Sequence, residues 1–144
     1  MQTQNFKNHS QFVPLFHFVT LPAILALLIG SFFNLSEAVG KGEGIYSASL
    51  ICLIAMILLL LAFLARAFGL KAQDRAIRAE ENLRHFLATG KPMDSRLRLS
   101  QVIALRFASD AEFIALAKKA ADENLSSKDI KQAINEWRGD YHRV

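Results

Sequence analysis

Apolar residues in this chain fall first into two long blocks and then into short periodic stripes. No Asp, Glu, Lys or Arg occurs between Lys7 and Glu37, nor between Glu43 and Arg66. A helix crossing a hydrocarbon core of ~30 Å needs about 20 residues. Val13 to Leu35 and Tyr46 to Phe68 each supply 23. The pattern predicts transmembrane helix 1 at 13–35, a loop at 36–45 containing Gly40, Gly42 and Gly44, and transmembrane helix 2 at 46–68. Pro22 removes a backbone donor from the first block and predicts a kink there. Ser36 and Ala38 stand at the spacing of a signal cleavage site. The block before them is longer than a signal h-region of about 7–15 residues, however, and only Lys7 precedes it, so an uncleaved span is expected.

Beyond the second block the apolar spacing becomes three and four, the period of helices with one buried face. A juxtamembrane stalk helix is predicted at 69–90, ending at Gly90 with Pro92 just beyond. Three short helices follow within a domain at 95–144. The first covers Ser95 to Phe107. The second opens at Ser109, with Glu112 placed to reach back as a capping box, and buries Phe113, Leu116, Ala117 and Ala120. The third opens at Ser126 with Asp129 in the equivalent place, and Ile130, Ala133, Ile134 and Trp137 form its stripe. The expected fold is all-α: a two-span transmembrane helical hairpin with a stalk helix and a small three-helix domain. About 45 residues make a marginal core, so this domain is expected to lean on the stalk, a second copy or a partner.

Charge orients this arrangement. Arg66, Lys71, Arg75, Arg78 and Arg84 follow the second span, whereas the loop between the spans holds only Lys41. Lys and Arg resist translocation, so the C-terminal region is expected in the cytoplasm. Two spans return the N-terminal segment 1–12 to the same side. Arg66, Lys71, Arg75 and Arg78 are then placed to meet anionic headgroups of the bilayer. The chain is 52% hydrophobic and 21% charged with a formal charge of +4, which excludes disorder and demands no acidic substrate. The single Cys52 lies within a span, so no disulfide framework exists.

Candidate chemistry is sparse. His17 lies about one turn into the first span, where an ionisable residue is a functional candidate by default, although Phe12, Phe16 and Phe18 offer it an aromatic belt at the interface. His9, His17, His85 and His142 are too scattered for paired metal ligands, and no cofactor or small-molecule substrate is indicated. The segment 40–43 lacks the Gly-Lys-Ser ending of a phosphate loop. Small residues carry more information, since helices in lipid associate where backbones approach closely. Ala26, Gly30 and Asn34 recur every four residues in the first span, and Ala48, Ala55, Ala62 and Gly69 every seven in the second. Both sets are expected to form the contact between the spans.

Several segments resemble a known family. Asn5-Phe6-Lys7-Asn8-His9, Phe12-Val13-Pro14 with His17, Arg106-Phe107-Ala108-Ser109-Asp110, and Trp137 through Arg143 are similar to a family of small two-span bacterial membrane proteins to which no function is assigned. The resemblance implies a bacterial inner membrane and the two-span architecture. It implies no activity, ligand or site residue.

The function expected is that of a non-enzymatic inner-membrane anchor or accessory subunit whose cytoplasmic helices bind another protein or a second copy. Phe113, Trp137, Arg138 and Tyr141 are the expected interface, because aromatics and Arg dominate interface energies. The other reading of Trp137 is as the plug of the small bundle. The alternative is a membrane-tethered regulator. Ala120, Asn124, Leu125, Ser126 and Ile130 fit helix-turn-helix spacing, which would place Lys128, Lys131, Gln132 and Asn135 at a groove. Against nucleic acid, 95–144 holds nine Lys or Arg and seven Asp or Glu, a net of only +2. A transport or proton-handling role would hang on His17, Ser31 and Asn34 alone.

Overall fold

The computed structural model describes residues 4–8 and 12–141. His9, His142 and Arg143 lie outside the described residues, as do the ends of the segments 1–12 and 137–143. The protein is all-α, with no strand among the described residues. A π-helical turn, Leu15–Thr20, leads into α1 (Leu21–Lys41), followed by α2 (Ile45–Thr89), α3 (Leu99–Leu105), α4 (Asp110–Asp122) and α5 (Ser127–Ala133). Two compact units result. One is Phe12–Gly69, and the other combines Met1–Gln11 with Leu70–Val144.

In the first of these, the defect expected at Pro22 is absorbed one turn earlier. Pro22 is the second residue of α1, and because helical winding continues before it, it lacks the N–H that would serve a carbonyl of the preceding turn. The residues before it are wound into the wider π turn, and Thr20 Oγ1 donates to the Leu15 carbonyl at 3.0 Å. Side-chain hydroxyls and local π geometry are the ordinary means of satisfying carbonyls that a proline frees. The connection between the long helices is shorter than 36–45. Glu37 and Lys41 form an i,i+4 ion pair that carries α1 through Lys41. The connection is residues 42–44, in which Gly42 and Gly44 take φ +71° and +70°. Both Leu15–Lys41 and Ile45–Thr89 are long and apolar enough to cross a membrane. Their apolar stretches are mostly exposed, unlike the core helix of a soluble protein.

The buried positions of this unit correct the expected contact. By burial alone, Ser31 is the buried position on α1, and Leu21, Ile24, Leu28, Leu35 and Ala38 are half-buried, whereas Ala26, Gly30 and Asn34 are exposed. Nothing lies within 4 Å of the place a side chain at Gly30 would take. A four-residue repeat drifts about 40° around the helix at each step, whereas alternating three and four holds one seam. On α2 the less exposed positions also recur at intervals of four and three. Ala48, Cys52 and Ala55 are buried, and Leu59, Ala62, Arg66 and Gly69 are half-buried. The guanidinium of Arg66 lies 5.9 Å from the centre of the Phe16 ring.

In the other unit α2 continues without a break from the segment expected to span into the expected stalk. It ends where predicted, at Gly90 with φ +72°. α3 is shorter than Ser95 to Phe107, because Asp94 holds a turn. Its carboxylate accepts from the Arg96 backbone N–H, and its carbonyl accepts from that of Leu97. The core joins Leu97, Val102, Leu105, Phe107, Phe113, Leu116, Ala120, Ile130 and Ile134. Gln101, also buried, donates to the Leu125 carbonyl and accepts from the Arg98 backbone N–H, so it ties the start of α3 to the α4–α5 turn. The Ser126 box forms as predicted, with Ser126 Oγ accepting from Asp129 N at 3.1 Å. α5 does not reach Trp137: it stops at Ala133, and Ile134 is extended.

Candidate functional site

The polar contacts of this unit concentrate at the corner between α3 and α4. Arg84 reaches it from α2. Its Nε donates to Asp110 at 2.7 Å, one terminal nitrogen donates to Glu81 at 2.9 Å, and the other donates to the Ala108 carbonyl at 2.8 Å. The guanidinium also lies 4.1 Å from the centre of the Phe113 ring. A planar fork can serve three acceptors and a ring face at once, whereas an ammonium acts as a point charge. Hydrogen bonding to Arg84 holds the Asp110 carboxyl below the usual carboxylate range.

The chain after α5 crosses the same corner as an extended strap. Ala108 and Trp137 form an antiparallel bridge, in which Ser109 N donates to the Glu136 carbonyl and Arg138 N to that of Phe107. Glu112 does not reach back to cap α4. Its carboxylate accepts from Asn135 N, Asn135 Nδ2 and Glu136 N at 3.0–3.2 Å. Ser109 Oγ is left buried without a hydrogen bond among the described residues. Farther along, Asp140 pairs with Arg106 at 3.2 Å, and its backbone exchanges two hydrogen bonds with the Gln4 side-chain amide. The N-terminal segment, residues 106–110 and the strap thus meet at one place. Beside them is a cavity of about 510 Å³, lined by Gln73, Ile77, Glu81, Arg106, Arg138 and Tyr141 among others. Its charged groups are of both signs, and Arg106 and Glu81 within it are already paired. This arrangement can fasten segments together and admit a small polar group. Among the described residues no three His, Cys, Asp or Glu side chains converge as metal ligands.

The whole chain, residues 1–144, matches a family of unknown function (DUF6526). The chain belongs to that family. No curated protein and no solved structure matches it. In this member of DUF6526, the segments 106–110 and 137–141, two of those that carried the resemblance in sequence, are the two sides of the bridge.

The residues expected to form an interface are not all available for one. Phe113 is 1% exposed and belongs to the core under Arg84, a correction that follows from its position on the inner stripe of α4. Trp137 is half-buried with its ring 5.1 Å from that of Phe107, so it plugs the bundle from the strap. Arg138 and Tyr141 are exposed. Of the expected groove residues, Lys128 and Gln132 are exposed on α5. Lys131 is half-buried with its ammonium 5.8 Å from the Phe107 ring centre, and Asn135 lies off the helix on Glu112. Asn124 does take left-handed geometry, with φ +49°. His17 sits edge-on between Phe12 and Phe16 at 5.3 and 5.1 Å, and its Nδ1 lies 2.9 Å from the Val13 carbonyl oxygen and 3.1 Å from Val13 N. Lys71, Arg75 and Arg78 are exposed, whereas Arg66 is half-buried on the seam.

Sequence reasoning missed the roles of Arg84, Glu112, Asp140 and Gln4. Arg84 carried a signal only for its neighbour Glu81, three residues away. The partners of the others lie 23 residues or more along the chain, so no local spacing could have announced them.

Proposed function

We propose that this chain is a non-enzymatic inner-membrane anchor or accessory protein, a two-span helical hairpin whose stalk and three short helices form a cytoplasmic docking module. One observation supports the reading most directly: the Gln4 side chain pairs with the backbone of Asp140, so both ends of the chain belong to one unit, and between them lie two helices apolar enough to cross a bilayer. Two crossings return a chain to the side from which it started. The excess of Lys and Arg after the apolar part of α2 favours the cytoplasm for that side. In this reading Lys71, Arg75 and Arg78 meet anionic headgroups.

Thiol labelling tests the topology. In a Cys52→Ser background, Glu43→Cys is expected to react in intact cells with a membrane-impermeant maleimide, while Ser95→Cys reacts only after lysis. The protein is expected to stay with membranes through alkaline carbonate. Release by carbonate, or labelling of Ser95→Cys in intact cells, would overturn the reading.

A second reading is favoured by Asn124, whose left-handed turn between α4 and α5 stands where a helix-turn-helix requires one. A membrane-tethered nucleic-acid binder would lose DNA retention when Lys128 and Lys131 are both replaced by Glu. In the anchor reading that retention never appears.

A further inference from the structure

From Leu70 onward α2 has two unlike faces. One face is closed by the rest of the unit: Ile77 and Glu81 are buried, and Arg84 is nearly so. The opposite face is apolar and open. Ala72, Ala76, Ala79, Leu83 and Phe86 succeed one another at intervals of four, three, four and three, and all are exposed. Leu83 is 57% exposed, Phe86 50% and Leu87, at their edge, 76%. Ala76 and Glu80 also edge the cavity beside the strap, and Arg75 and Ala79 edge another bordered by Pro92, Met93 and Leu99, but all four residues remain exposed. Leu83 stands 13 residues beyond Leu70, about 20 Å along the helix at 1.5 Å per residue, too far for the bilayer to cover it.

We propose that this face is the seam of a parallel two-stranded coiled coil between α2 and the same helix of a second copy. The proposal rests on the anchor reading, because two copies inserted the same way in one bilayer present their α2 helices side by side and parallel. The spacing assigns Ala76 and Leu83 to position a of the heptad, and Ala72, Ala79 and Phe86 to position d. Small residues in the first half allow close approach of the backbones, and Leu83 and Phe86 fill the second half. The flanking charges specify the occupant. Arg75 falls at g and Glu80 at the following e, the two positions that meet across a parallel pair. Neither makes a hydrogen bond or ion pair among the described residues. In the pair, Arg75 of each copy faces Glu80 of the other, twice by symmetry, so the face complements itself. Anionic headgroups of a bilayer answer Arg75 but not Glu80, and an unrelated apolar segment answers neither; the second copy answers both.

The test is a cysteine scan of the full chain in native membranes, in the Cys52→Ser background, with oxidative crosslinking. Ala76→Cys, Ala79→Cys and Leu83→Cys are expected to give a band at twice 16.1 kDa, and Arg78→Cys and Lys71→Cys, on the flank, to give little. In gentle detergent Leu83→Glu is expected to reduce the particle from two chains to one while helical content stays unchanged. Arg75→Glu should weaken the dimer, and Arg75→Glu combined with Glu80→Arg should restore it, a rescue that a misfolded helix could not show. Crosslinking without heptad periodicity, or a monomer at every position in a protein that stays with membranes through carbonate, overturns the dimer and leaves the anchor standing. Release by carbonate removes the anchor reading and the dimer together.

Discussion

Replacing Arg84 by Met keeps most of its aliphatic body and removes everything the guanidinium does. Its side chain is 13% exposed and that of its partner Glu81 8%, so the variant strands a carboxylate out of water as well as losing a bond. Breaking such a buried pair from one side costs about 3–5 kcal/mol. The Asp110 contact adds little, because that carboxylate is 88% exposed and solvent screens it; an exposed pair contributes about 0–1 kcal/mol. The two variants Arg84→Met and Asp110→Asn should therefore differ severalfold in cost. Trp137 is the only tryptophan and packs on the Phe107 ring, so its fluorescence reports this unit alone, even in the solubilised full chain. At about 4–8 °C per kcal/mol for a unit of this size, Arg84→Met should lower the thermal midpoint by roughly 12 °C or more, and Asp110→Asn by a few degrees. Arg84→Lys should fall between Arg84→Met and the unaltered protein, since an ammonium keeps a positive charge for Glu81 but cannot reproduce the planar fork to Glu81, Asp110 and Ala108. Adding Glu81→Gln to Arg84→Met should recover part of the loss by removing the stranded charge. Equal midpoints for Arg84→Met and Asp110→Asn would refute this account of the corner.

The two serines before helices should also part company under the same fluorescence readout. Ser126→Ala removes an engaged cap and should cost about 1 kcal/mol, whereas Ser109→Ala removes a buried hydroxyl without a hydrogen bond and should be neutral or slightly stabilising. Acid should weaken the unit through its depressed carboxyls. Hydrogen bonding to Arg96 lowers Asp94 from 3.8 to about 2, and Arg84 lowers Asp110. A group depressed in the folded state stabilises it above its unfolded pKa, so the Asp94 contribution is complete above 3.8 and fades as pH falls towards about 2. Unfolding followed across that window should flatten in Asp94→Asn, and an unchanged acid limb would contradict the assignment.

How much was legible in the sequence depended on how far away the deciding partner lay. The end of α2 at Gly90 and the Ser126 box follow from residues within a few positions of one another, and both stand where spacing put them, while each apolar block lies in a helix that runs beyond it. Ser109 and Glu112 show the same local signal as Ser126 and Asp129. The backbone N–H groups of Asn135 and Glu136, brought back by the strap, compete for Glu112 and win it from the cap. The seam of α1 was misread for a different reason. Ala26, Gly30 and Asn34 were chosen for size, whereas the half-buried line passes through Leu21, Ile24, Leu28 and Leu35, and burial follows the period before it follows size. Trp137 looked like a fourth member of the α5 stripe because Ile130 and Ile134 set its phase. The helix had already ended, and a bridge to Ala108 reproduced the inward direction by other means.

The same distinction between engaged and unengaged groups separates holding from recognition. At the corner nearly every charged side chain has its partner inside the unit: Arg84 with Glu81 and Asp110, Arg106 with Asp140, and Glu112 with the strap. Charges already answered in this way have little left to offer a ligand, and their removal should show first as lost stability. Along the open face of α2 the balance is reversed. Leu83, Phe86 and Leu87 are exposed, and Arg75 and Glu80 have no partner among the described residues. An exposed apolar row flanked by unanswered opposite charges at coiled-coil spacing is where association would release the most free energy. A mutational scan should therefore divide the unit: substitutions at the corner should move the unfolding midpoint, and substitutions on the α2 face should move the association state while the midpoint of the isolated chain stays where it was.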